Sequence, residues 1–465
     1  MKLAPYPEYK DSGVPWIDRI PKAWNFLRGK NLFDSLDTRS ETGTEELLSV
    51  SEHQGVTPRR SVNVTMFQAA SYQGYKLCWP GDLVINSLWA WMQGLGFSRY
   101  HGIISTAYGV YRPRKENVAD FRYFDYLLRS AAYKWELRVR SKGIWRSRYQ
   151  LKDDDFLTMP ILIPVVGEQI HIAHFLDWKS AQINKFIRNK RRLIELLKEQ
   201  KQNIINQAVT RGIDPDVKLK PSGVEWIRDI PEHWEVRRIK TVTKILRGKF
   251  SYRPRNDASL YDGVFPFIQT GDVARAGKYI TKYRQSLNEK GFSVSKQFPK
   301  GTLTMTIAAN IGDVAILDFD ACFPDSIVGF IPNKGVLLEF LYYAFTAMKK
   351  EFLKQAPVNT QGNLNIERIG AMSIVLPDIE EQQLLVDKIE SLSEQFDQTI
   401  TRTEREIELM REYRTRLISD VVTGQVDVRG VEVPDVAGDN LAALDESDDG
   451  FEESEMPEIE ENIEE

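Results

Sequence analysis

The chain repeats itself, and this internal repeat limits the folds it can adopt more strongly than any other feature of the sequence. The segment Ser12–Trp24 recurs as Ser222–Trp234, and eight of its thirteen positions are identical at an offset of 210 residues. Each copy reads Ser-Gly-Val-x-Trp-Ile, followed by Ile-Pro-x-x-Trp. Two similar structural units are therefore expected within the 465 residues, a length that already favours several domains.

A second match closes each copy at an offset of 213 residues. It pairs the Pro-x-x-x-Glu-Gln segment that begins at Pro164 with the one that begins at Pro377. Between the matched ends, residues 25–158 and 235–372 have nearly the same length but largely different sequences. Weak agreement persists at isolated positions, which are Gly81 with Gly301, Leu83 with Leu303 and Met159 with Met372. We interpret the chain as two copies of one scaffold that carry two different variable regions.

Each Pro-x-x-x-Glu-Gln segment leads into a long stretch without Gly or Pro, residues 168–209 and 379–423. Both stretches are rich in Leu, Ile, Lys, Glu, Gln and Arg, which favour helix. Helices of this length span roughly 60 Å, since each residue adds about 1.5 Å. Gly212 and Gly424 follow the two stretches and predict where the helices end.

Both stretches fit one heptad frame, in which apolar residues recur at positions a and d. Polar interruptions fall at matching places, such as Lys201 with Arg414. The matching seams predict an antiparallel coiled coil, and two amphipathic helices that each pack on their own domain are the alternative. In the first frame the a and d positions are Ala173, Leu176, Ser180, Ile183, Ile187, Lys190, Ile194, Leu197, Lys201, Ile204 and Ala208. In the second they are Val386, Ile389, Ser393, Phe396, Ile400, Thr403, Ile407, Met410, Arg414, Leu417 and Val421.

The net charge of −4 conceals an uneven distribution. Residues 430–465 contain fifteen acidic residues and no Lys or Arg, which leaves 62 basic and 51 acidic residues in residues 1–429, a balance of about +11. A basic body permits nucleic-acid binding but does not require it. The acidic end is too polar to fold alone, so we expect a disordered tail, with a DNA-mimicking plug as the minor alternative.

The sequence contains none of the motifs that we expect of a membrane protein, a secreted protein or a stand-alone enzyme. No apolar run reaches eighteen residues, and the N-terminus lacks the apolar region of a secretory signal. The two cysteines, Cys78 and Cys322, lie far apart, which fits a reducing cytoplasm. Adenine-methylase, P-loop and dinucleotide motifs are absent, and the pair His171 and His174 has no third metal ligand nearby. We therefore expect no catalytic residue and no metal site in this chain.

The repeated motifs resemble those of the specificity subunits of type I restriction–modification systems. The Ser-Gly-Val-x-Trp-Ile…Ile-Pro-x-x-Trp opening is similar to the start of a target-recognition domain in that family, and so is the Pro-x-x-x-Glu-Gln segment that leads into a long helix. The segment Leu417–Arg429 resembles the closing signature of the family. The resemblance covers residues 5–429, and the acidic tail departs from the family pattern.

The resemblance implies a fold of the α/β (α+β) class with an internal pseudo-two-fold repeat. Two globular target-recognition domains would lie at opposite ends of two long antiparallel coiled-coil helices. The expected segments are residues 1–158 as the first recognition domain, 159–211 as the first spacer helix, 212–372 as a linker and the second recognition domain, 373–429 as the second spacer helix, and 430–465 as the acidic disordered tail.

The resemblance also implies a function and a set of partners. The chain would recognise a bipartite, asymmetric site in double-stranded DNA, and would position two modification (methyltransferase) subunits and the restriction subunits in a bacterial or archaeal cytoplasm. No cofactor is expected in this chain, because the modification subunit would bind S-adenosylmethionine for adenine N6 methylation and the restriction subunit would bind ATP and Mg. A coiled-coil scaffold that binds proteins and has no DNA role is the alternative.

The strongest candidate for DNA contact in the first variable region is the basic segment 138–150. Cations neutralise phosphates, and guanidinium and amide groups reach base edges. Trp145 and Tyr149 lie among the cations, and Gly143 provides a hinge. The candidate residues are Arg138, Arg140, Lys142, Arg146, Arg148 and Gln150. A solvated helix or loop face is the alternative.

The corresponding segment of the second variable region, residues 359–365, carries amides where the first carries guanidinium groups. Asn and Gln suit bidentate contacts with adenine and Arg suits guanine, so the two halves are expected to recognise different bases. The candidate residues are Lys349, Lys350, Lys354, Asn359, Gln361 and Asn363, and the secondary candidates are Arg253, Arg255 and Asn310.

Two groups of tryptophans are expected to serve packing rather than binding. Trp16, Trp24, Trp226 and Trp234 belong to the repeat, and we expect them to hold each N-terminal segment against its domain. Trp89 and Trp91 alternate within residues 86–91, which predicts a strand with both indoles on one face and in the core rather than stacked on bases.

Overall fold

The computed structural model describes residues 3–434, apart from residues 53, 62–70, 115–117, 119, 145–148, 253, 255–256, 309 and 357–363. The chain divides into two compact units. The first unit consists of residues 1–191 and 404–465, and the second consists of residues 192–403. Each unit therefore contains one variable region and parts of both long helical stretches.

In the first unit, short strands and short helices precede the first long helix. The strands are β1 (Tyr9–Val14), β2 (Ile17–Pro21), β3 (Asn25–Arg28), β4 (Phe33–Leu36), β5 (Leu48–Ser51), β6 (Gly55–Pro58), β7 (Lys76–Cys78), β8 (Leu83–Asn86), β9 (Leu95–Phe97), β10 (Gly102–Ile104), β11 (Tyr108–Pro113) and β12 (Pro160–Ile163). The helices are α1 (Phe121–Leu128), α2 (Ala131–Arg140), α3 (Asp153–Leu157) and the long α4 (Val166–Arg211).

The second variable region has the same kind of layout and is followed by the second long helix. The strands are β13 (Leu219–Pro221), β14 (Asp229–Pro231), β15 (Glu235–Arg238), β16 (Thr243–Arg247), β17 (Tyr261–Phe267), β18 (Tyr279–Ile280), β19 (Gln285–Leu287), β20 (Gln297–Phe298), β21 (Leu303–Thr306), β22 (Val314–Leu317), β23 (Ala321–Cys322), β24 (Ile327–Pro332) and β25 (Ser373–Leu376). The helices are α5 (Ile239–Val242), α6 (Thr270–Arg275), α7 (Glu289–Ser293), α8 (Leu338–Ala347), α9 (Lys349–Lys354), α10 (Ile366–Ala371) and the long α11 (Ile379–Val422).

The main sheet has the same strand order in both units. It runs β4-β11-β8-β9 in the first unit and β16-β24-β21-β22 in the second, where β18 adds an edge strand. The central strands β8 and β21 are buried at every position, as expected of strands that are covered on both faces. Gly81 and Gly301 precede them with φ angles of 91° and 82°. The weak sequence agreement at these glycines therefore marks equivalent strands in two otherwise different variable regions.

The repeated N-terminal motif forms the same hairpin in each unit, β1 with β2 and β13 with β14. The tryptophan that ends each motif, Trp24 or Trp234, is 0% exposed. Trp16 and Trp226 are partly buried and pack against the same two cores. The prediction that these tryptophans hold the N-terminal segments against their domains is confirmed.

The Pro-x-x-x-Glu-Gln motif starts each long helix by a hydrogen bond between its first and last residues. The side-chain amide of Gln169 donates to the carbonyl of Pro164 over 3.2 Å, and that of Gln382 donates to the carbonyl of Pro377 over 2.9 Å. Both glutamines are 0% exposed. A buried amide needs a partner, so this spacing fixes the path of the chain as the helix begins.

The helices α4 and α11 contain 46 and 44 residues, as the Gly- and Pro-free stretches predict. In the first unit, Arg414 donates to Asn184 over 2.8 Å, and Lys190 lies 2.7 Å from Glu406. Residue numbers in α11 fall as those in α4 rise, so the helices are antiparallel where they meet in this unit. The predicted antiparallel arrangement is confirmed.

The heptad frame agrees with the burial of both helices. None of the predicted a and d positions is exposed. Near the end of α4, however, Ile205 is 5% exposed and belongs to the core of the second unit, whereas the predicted d residue Ile204 is only half-buried. The apolar face has therefore shifted by one residue where α4 leaves the seam and packs against a globular core.

No helix among the described residues is both long and apolar enough to cross a bilayer. The cysteines Cys78 and Cys322 are buried and free. Burial raises the pKa of the Cys78 thiol to about 11 and also raises that of Cys322. Thiols with raised pKa values in apolar surroundings are poor nucleophiles, so these two residues serve packing.

Candidate nucleic-acid interface

A turn at one end of the β8–β9 hairpin forms the first part of the candidate interface. The two strands are antiparallel, with Ile85 opposite Leu95. The connection between them contains a 3-10 turn, which is followed by Gln93 in the left-handed region, at φ 62°. The side-chain amide of Gln93 donates to the carbonyl of Ser130 over 3.1 Å, and Gln93 is 7% exposed. The buried side chain of Gln93 therefore fixes the shape of the turn.

The basic segment of the first unit has its C-terminal end beside this turn. Lys142 and Gln150 exchange two backbone hydrogen bonds, each 3.0 Å long, which bring together the two ends of the segment that we call the basic loop, residues 143–149. The next residue, Leu151, donates its N–H to the carbonyl of Ser87 over 2.9 Å and is 3% exposed. The C-terminal end of the basic loop therefore lies beside the turn.

The second unit contains the same junction. The N–H of Leu364 donates to the carbonyl of Ile307 over 3.0 Å, and Leu364 is 1% exposed. Ile307 begins the turn between β21 and β22, the strands that correspond to β8 and β9. Leu364 matches Leu151 at the repeat offset of 213 residues. Both units thus attach a segment from the end of the variable region to the same hairpin turn.

In the first unit, the described candidates fall into an exposed group and a structural group. Arg138 and Gln150 are exposed. Lys142 is 71% exposed and lies 2.9 Å from Asp155. Arg140 forms an ion pair with the buried Glu136 and also donates to the carbonyl of Asp155 over 3.2 Å, so it anchors α2 to α3. Arg146 and Arg148 lie outside the described residues.

In the second unit, two of the candidates come together at the hairpin turn. Asn310 is exposed, while its backbone carbonyl accepts a 3.2 Å hydrogen bond from the N–H of Asp313. The ammonium group of Lys349 forms an ion pair with Asp313, and this lysine remains 48% exposed. An amide donor and acceptor and a cation are therefore presented together beside the segment that Leu364 anchors.

The other candidates of the second unit are less closely grouped. Lys350 is exposed. Lys354 is 67% exposed and lies 2.7 Å from Glu351, whose hydrogen bond raises the pKa of the lysine. Five predicted residues lie outside the described part of the chain, which are Arg253, Arg255, Asn359, Gln361 and Asn363.

The prediction that Trp89 lies on a strand and in the core is wrong. Strand β8 ends at Asn86, and Trp89 belongs to the turn, where its side chain is 40% exposed. The rings of Trp89 and Trp91 stack with their centroids 6.0 Å apart, and Trp91 meets Tyr149 of the basic loop edge-on at 5.9 Å. Sequence reasoning missed this turn because alternating tryptophans imitate a strand; the following Gln93-Gly94 was the available signal for a turn.

Within the described residues, no group of three or more His, Cys, Asp and Glu side chains could hold a metal ion. The ring of His171 instead contacts the backbone carbonyl of Val428, with Nε2 and the oxygen 2.8 Å apart. His171 is thus engaged in joining α4 to the segment that follows α11.

The chain is similar in sequence to known proteins. Residues 231–409 match the model of the family described as type I restriction modification DNA specificity domain. The type I restriction enzyme MjaIX specificity subunit of Methanocaldococcus jannaschii is 29% identical over 199 residues, which are 42% of this chain and 45% of that protein. The MjaVIII specificity subunit of the same organism is 24% identical over 343 residues, 71% of this chain and 76% of that protein.

A solved structure shares the fold at low sequence identity. Its chain comes from work on complex assembly and conformational transition of the type I R-M system. The TM-score is 0.65 and the identity 15%, and the match covers 88% of this chain and 99% of that chain. The likeness extends over both units of the present chain, and the first relative above matches over less than half of its length.

Proposed function

We propose that this chain, which belongs to the specificity subunits of type I restriction–modification systems, recognises a bipartite and asymmetric site in double-stranded DNA. One observation carries the proposal. Each unit attaches a variable segment to the same hairpin turn, through Leu151 and Ser87 in the first unit and through Leu364 and Ile307 in the second. The two units share this attachment but differ in their exposed side chains. Two related domains that recognise different DNA sequences require such an arrangement.

The exposed side chains supply the two kinds of contact that DNA recognition needs. Cations such as Arg138 and Lys350 suit phosphates, and these contacts position the protein. Amides such as Gln150 and Asn310 can form paired hydrogen bonds with the edge of adenine in the major groove. Arg146 and Arg148 of the basic loop would favour guanine, so the two half-sites would differ in sequence.

The two long helices would set the distance between the half-sites. A coiled coil is stiff because each buried position along the seam fixes the next one. Half-sites on one face of the duplex would then be about one helical turn apart, or a multiple of that distance. Both units would have to bind at once for full affinity. The number of base pairs between the two half-sites would therefore be recognised together with their sequences.

The chemistry would come from partners. In this proposal two modification subunits, which bind S-adenosylmethionine, transfer the methyl group to adenine, and restriction subunits use ATP and Mg to cleave DNA. The present chain would supply recognition and hold the partners in place. The first unit would direct methylation in one half-site and the second unit would direct it in the other.

Binding of the reconstituted complex to DNA tests this proposal. We expect the affinity of the chain with its modification subunits for a duplex that carries the site to fall at least a hundredfold between about 50 and 200 mM salt, because phosphate contacts release counterions. The site is found by mapping adenine methylation in cells with and without the gene. Gln150→Ala should then change discrimination in one half-site, and Asn310→Ala should change it in the other. A protein-binding scaffold without a DNA role would show no salt-dependent binding and no change in methylation.

A further inference from the structure

The turn between β8 and β9 presents an apolar surface beside the basic loop. Leu88 and Trp89 are 43% and 40% exposed, and Ile144 in the loop is 91% exposed. Several large apolar side chains exposed near one another mark a candidate binding surface. The described cations of the same segment are Lys142, which is 71% exposed, and the exposed Arg138. A polyanion with apolar groups on its surface therefore matches both the charge and the apolar side chains.

The backbone holds Trp89 rigidly. Its N–H donates to the carbonyl of Asn86 over 2.9 Å, and its own carbonyl accepts from Met92 and Gly94, each over 3.0 Å. A side chain at position 94 would crowd the turn, because a Cβ there would lie 3.0 Å from the Cβ of Trp89. Little conformational freedom is therefore left for Trp89 to lose when it binds a partner.

The aromatic neighbours hold the ring as well as the backbone. Trp91 stacks on Trp89 with an angle of 16° between the planes, and the indole nitrogen of Trp91 donates to the carbonyl of Leu88 over 3.0 Å. Tyr149 meets Trp91 edge-on, which links the aromatic row to the basic loop. The indole of Trp89 is thus stacked on Trp91 and remains partly exposed to solvent.

We propose that this turn is a second specificity-determining segment of the first unit, in which Trp89 packs against the 5-methyl group of a thymine in the major groove. The inference rests on the function proposed above. Thymine alone among the bases presents a methyl group at that edge, and apolar side chains recognise it by contact. The equivalent turn of the second unit presents Asn310, so the turns as well as the loops would distinguish the two half-sites.

The test is a cycle of protein and DNA changes in the complex with modification subunits. The probe is the duplex defined by methylation mapping, with each thymine of the first half-site replaced in turn by deoxyuridine, which lacks the methyl group. Burial of one methyl group corresponds to about a fourfold change in affinity. We expect one replacement to weaken binding of the unchanged protein by about fourfold. The Trp89→Ala variant should bind the thymine duplex more weakly than the unchanged protein does. Its affinity should be the same for the thymine duplex and for the duplex with that deoxyuridine replacement.

Two variants control for damage to the fold. Tyr100→Ala removes another exposed aromatic side chain of the first unit, 38% exposed, from the opposite end of the same hairpin, and should leave the methyl preference unchanged. Trp89→Gln keeps a long side chain in the turn but should abolish the preference. If no thymine replacement affects the unchanged protein, or if Trp89→Ala loses affinity equally on both duplexes, the assignment of Trp89 is wrong. Absence of any salt-dependent binding would instead contradict the proposed function itself.

Discussion

The indole nitrogen of Trp24 donates a hydrogen bond of 2.9 Å to Oε2 of Glu168, 144 residues away in sequence. In the second unit, Trp234 donates to Glu381 over the same distance. Each bond joins the last residue of the N-terminal repeat motif to the acidic residue of the motif that starts a long helix. The two repeated motifs are therefore two halves of one structural joint, which explains why the chain contains both of them twice.

Removal of the indole donor should cost more in the first joint than in the second. The side chain of Glu168 is 8% exposed and also accepts from Tyr6 over 2.6 Å, whereas that of Glu381 is 27% exposed. Trp24→Phe should lower the free energy of unfolding by about 2 kcal/mol and Trp234→Phe by about 1 kcal/mol, because a buried carboxylate tolerates the loss of a donor poorly. Urea unfolding of both variants measures the difference. Equal losses would show that ring volume and not the hydrogen bond matters.

Alanine at the glycine that ends each long helix should also affect the units unequally. Gly424 and Gly212 have φ angles of 75° and 77°, so either substitution introduces strain of about 1 kcal/mol. A Cβ at position 424 would lie 2.4 Å from Pro21, whereas one at position 212 would lie 3.5 Å from Trp234. Gly424→Ala should therefore destabilise by about 2 kcal/mol more than Gly212→Ala. Thermal unfolding of the two variants provides the comparison, and a smaller effect at position 424 would contradict the packing described here.

The seam of the long helices should depend on apolar contacts more than on ion pairs. Ile407 is 7% exposed, and Ile407→Ala should cost about 2–3 kcal/mol of unfolding free energy. In the second unit, Lys201 lies 2.7 Å from Asp397, but their side chains are 28% and 58% exposed. Lys201→Ala should cost less than about 1 kcal/mol, and the cost should disappear in high salt. A larger loss from the lysine variant would reverse this ranking.

The sequence predicted the long helices well because their periodicity is local. Positions a and d recur within each seven residues, and no distant residue is needed to recognise them. The sequence repeat likewise predicted two equivalent units, and the main sheets of the two units have the same strand order. The fold class could therefore be inferred from patterns that are visible in short windows.

The candidate interface was harder to predict because its parts are distant in sequence. The hydrogen bond from Leu151 to Ser87 joins residues 64 positions apart, and no local pattern marks either partner. Arg140 was a candidate for DNA contact as part of the basic segment, and that contact stays a prediction; in the folded chain its guanidinium contacts Glu136 and the carbonyl of Asp155. Charge in a sequence shows that a cation is present, but only the packing around it shows whether a neighbouring carboxylate has already engaged it.

Shortening both long helices by one heptad should change the spacing of the recognised half-sites and not their sequences. Deletion of residues 191–197 and 399–405 removes about 10 Å from each helix, which corresponds to roughly three base pairs of duplex. Methylation mapping in cells should reveal the same two half-sites with a shorter spacer. Deletion from α4 alone is the control and should abolish methylation, because the two helices would then differ in length by about 10 Å. An altered half-site with the old spacing would refute the proposed role of the helices.

The buried thiol of Cys78 predicts a loss of stability at alkaline pH. The folded pKa of about 11 exceeds the ordinary thiol value of about 8.5. The unfolded chain therefore releases its proton first, so stability is unaffected below pH 8 and falls as the pH rises towards 11. Relative to Cys78→Ala, the unchanged protein should lose about 2 kcal/mol between pH 7 and 10. Unfolding curves at several pH values measure the difference, and parallel curves for the two proteins would exclude a raised pKa.

The location of Trp89 and Asn310 in turns of the same hairpin has an evolutionary consequence. Both side chains are exposed, while strands β8 and β21 that precede them are buried and have the same place in the strand order of the two units. Substitutions of these two exposed side chains remove little from the folded state, since exposed positions contribute little to the core. If these turns contact DNA as proposed, new target preferences would arise by single mutations there without a compensating change elsewhere, and descendants of one ancestral chain would diverge quickly in the sequences they select.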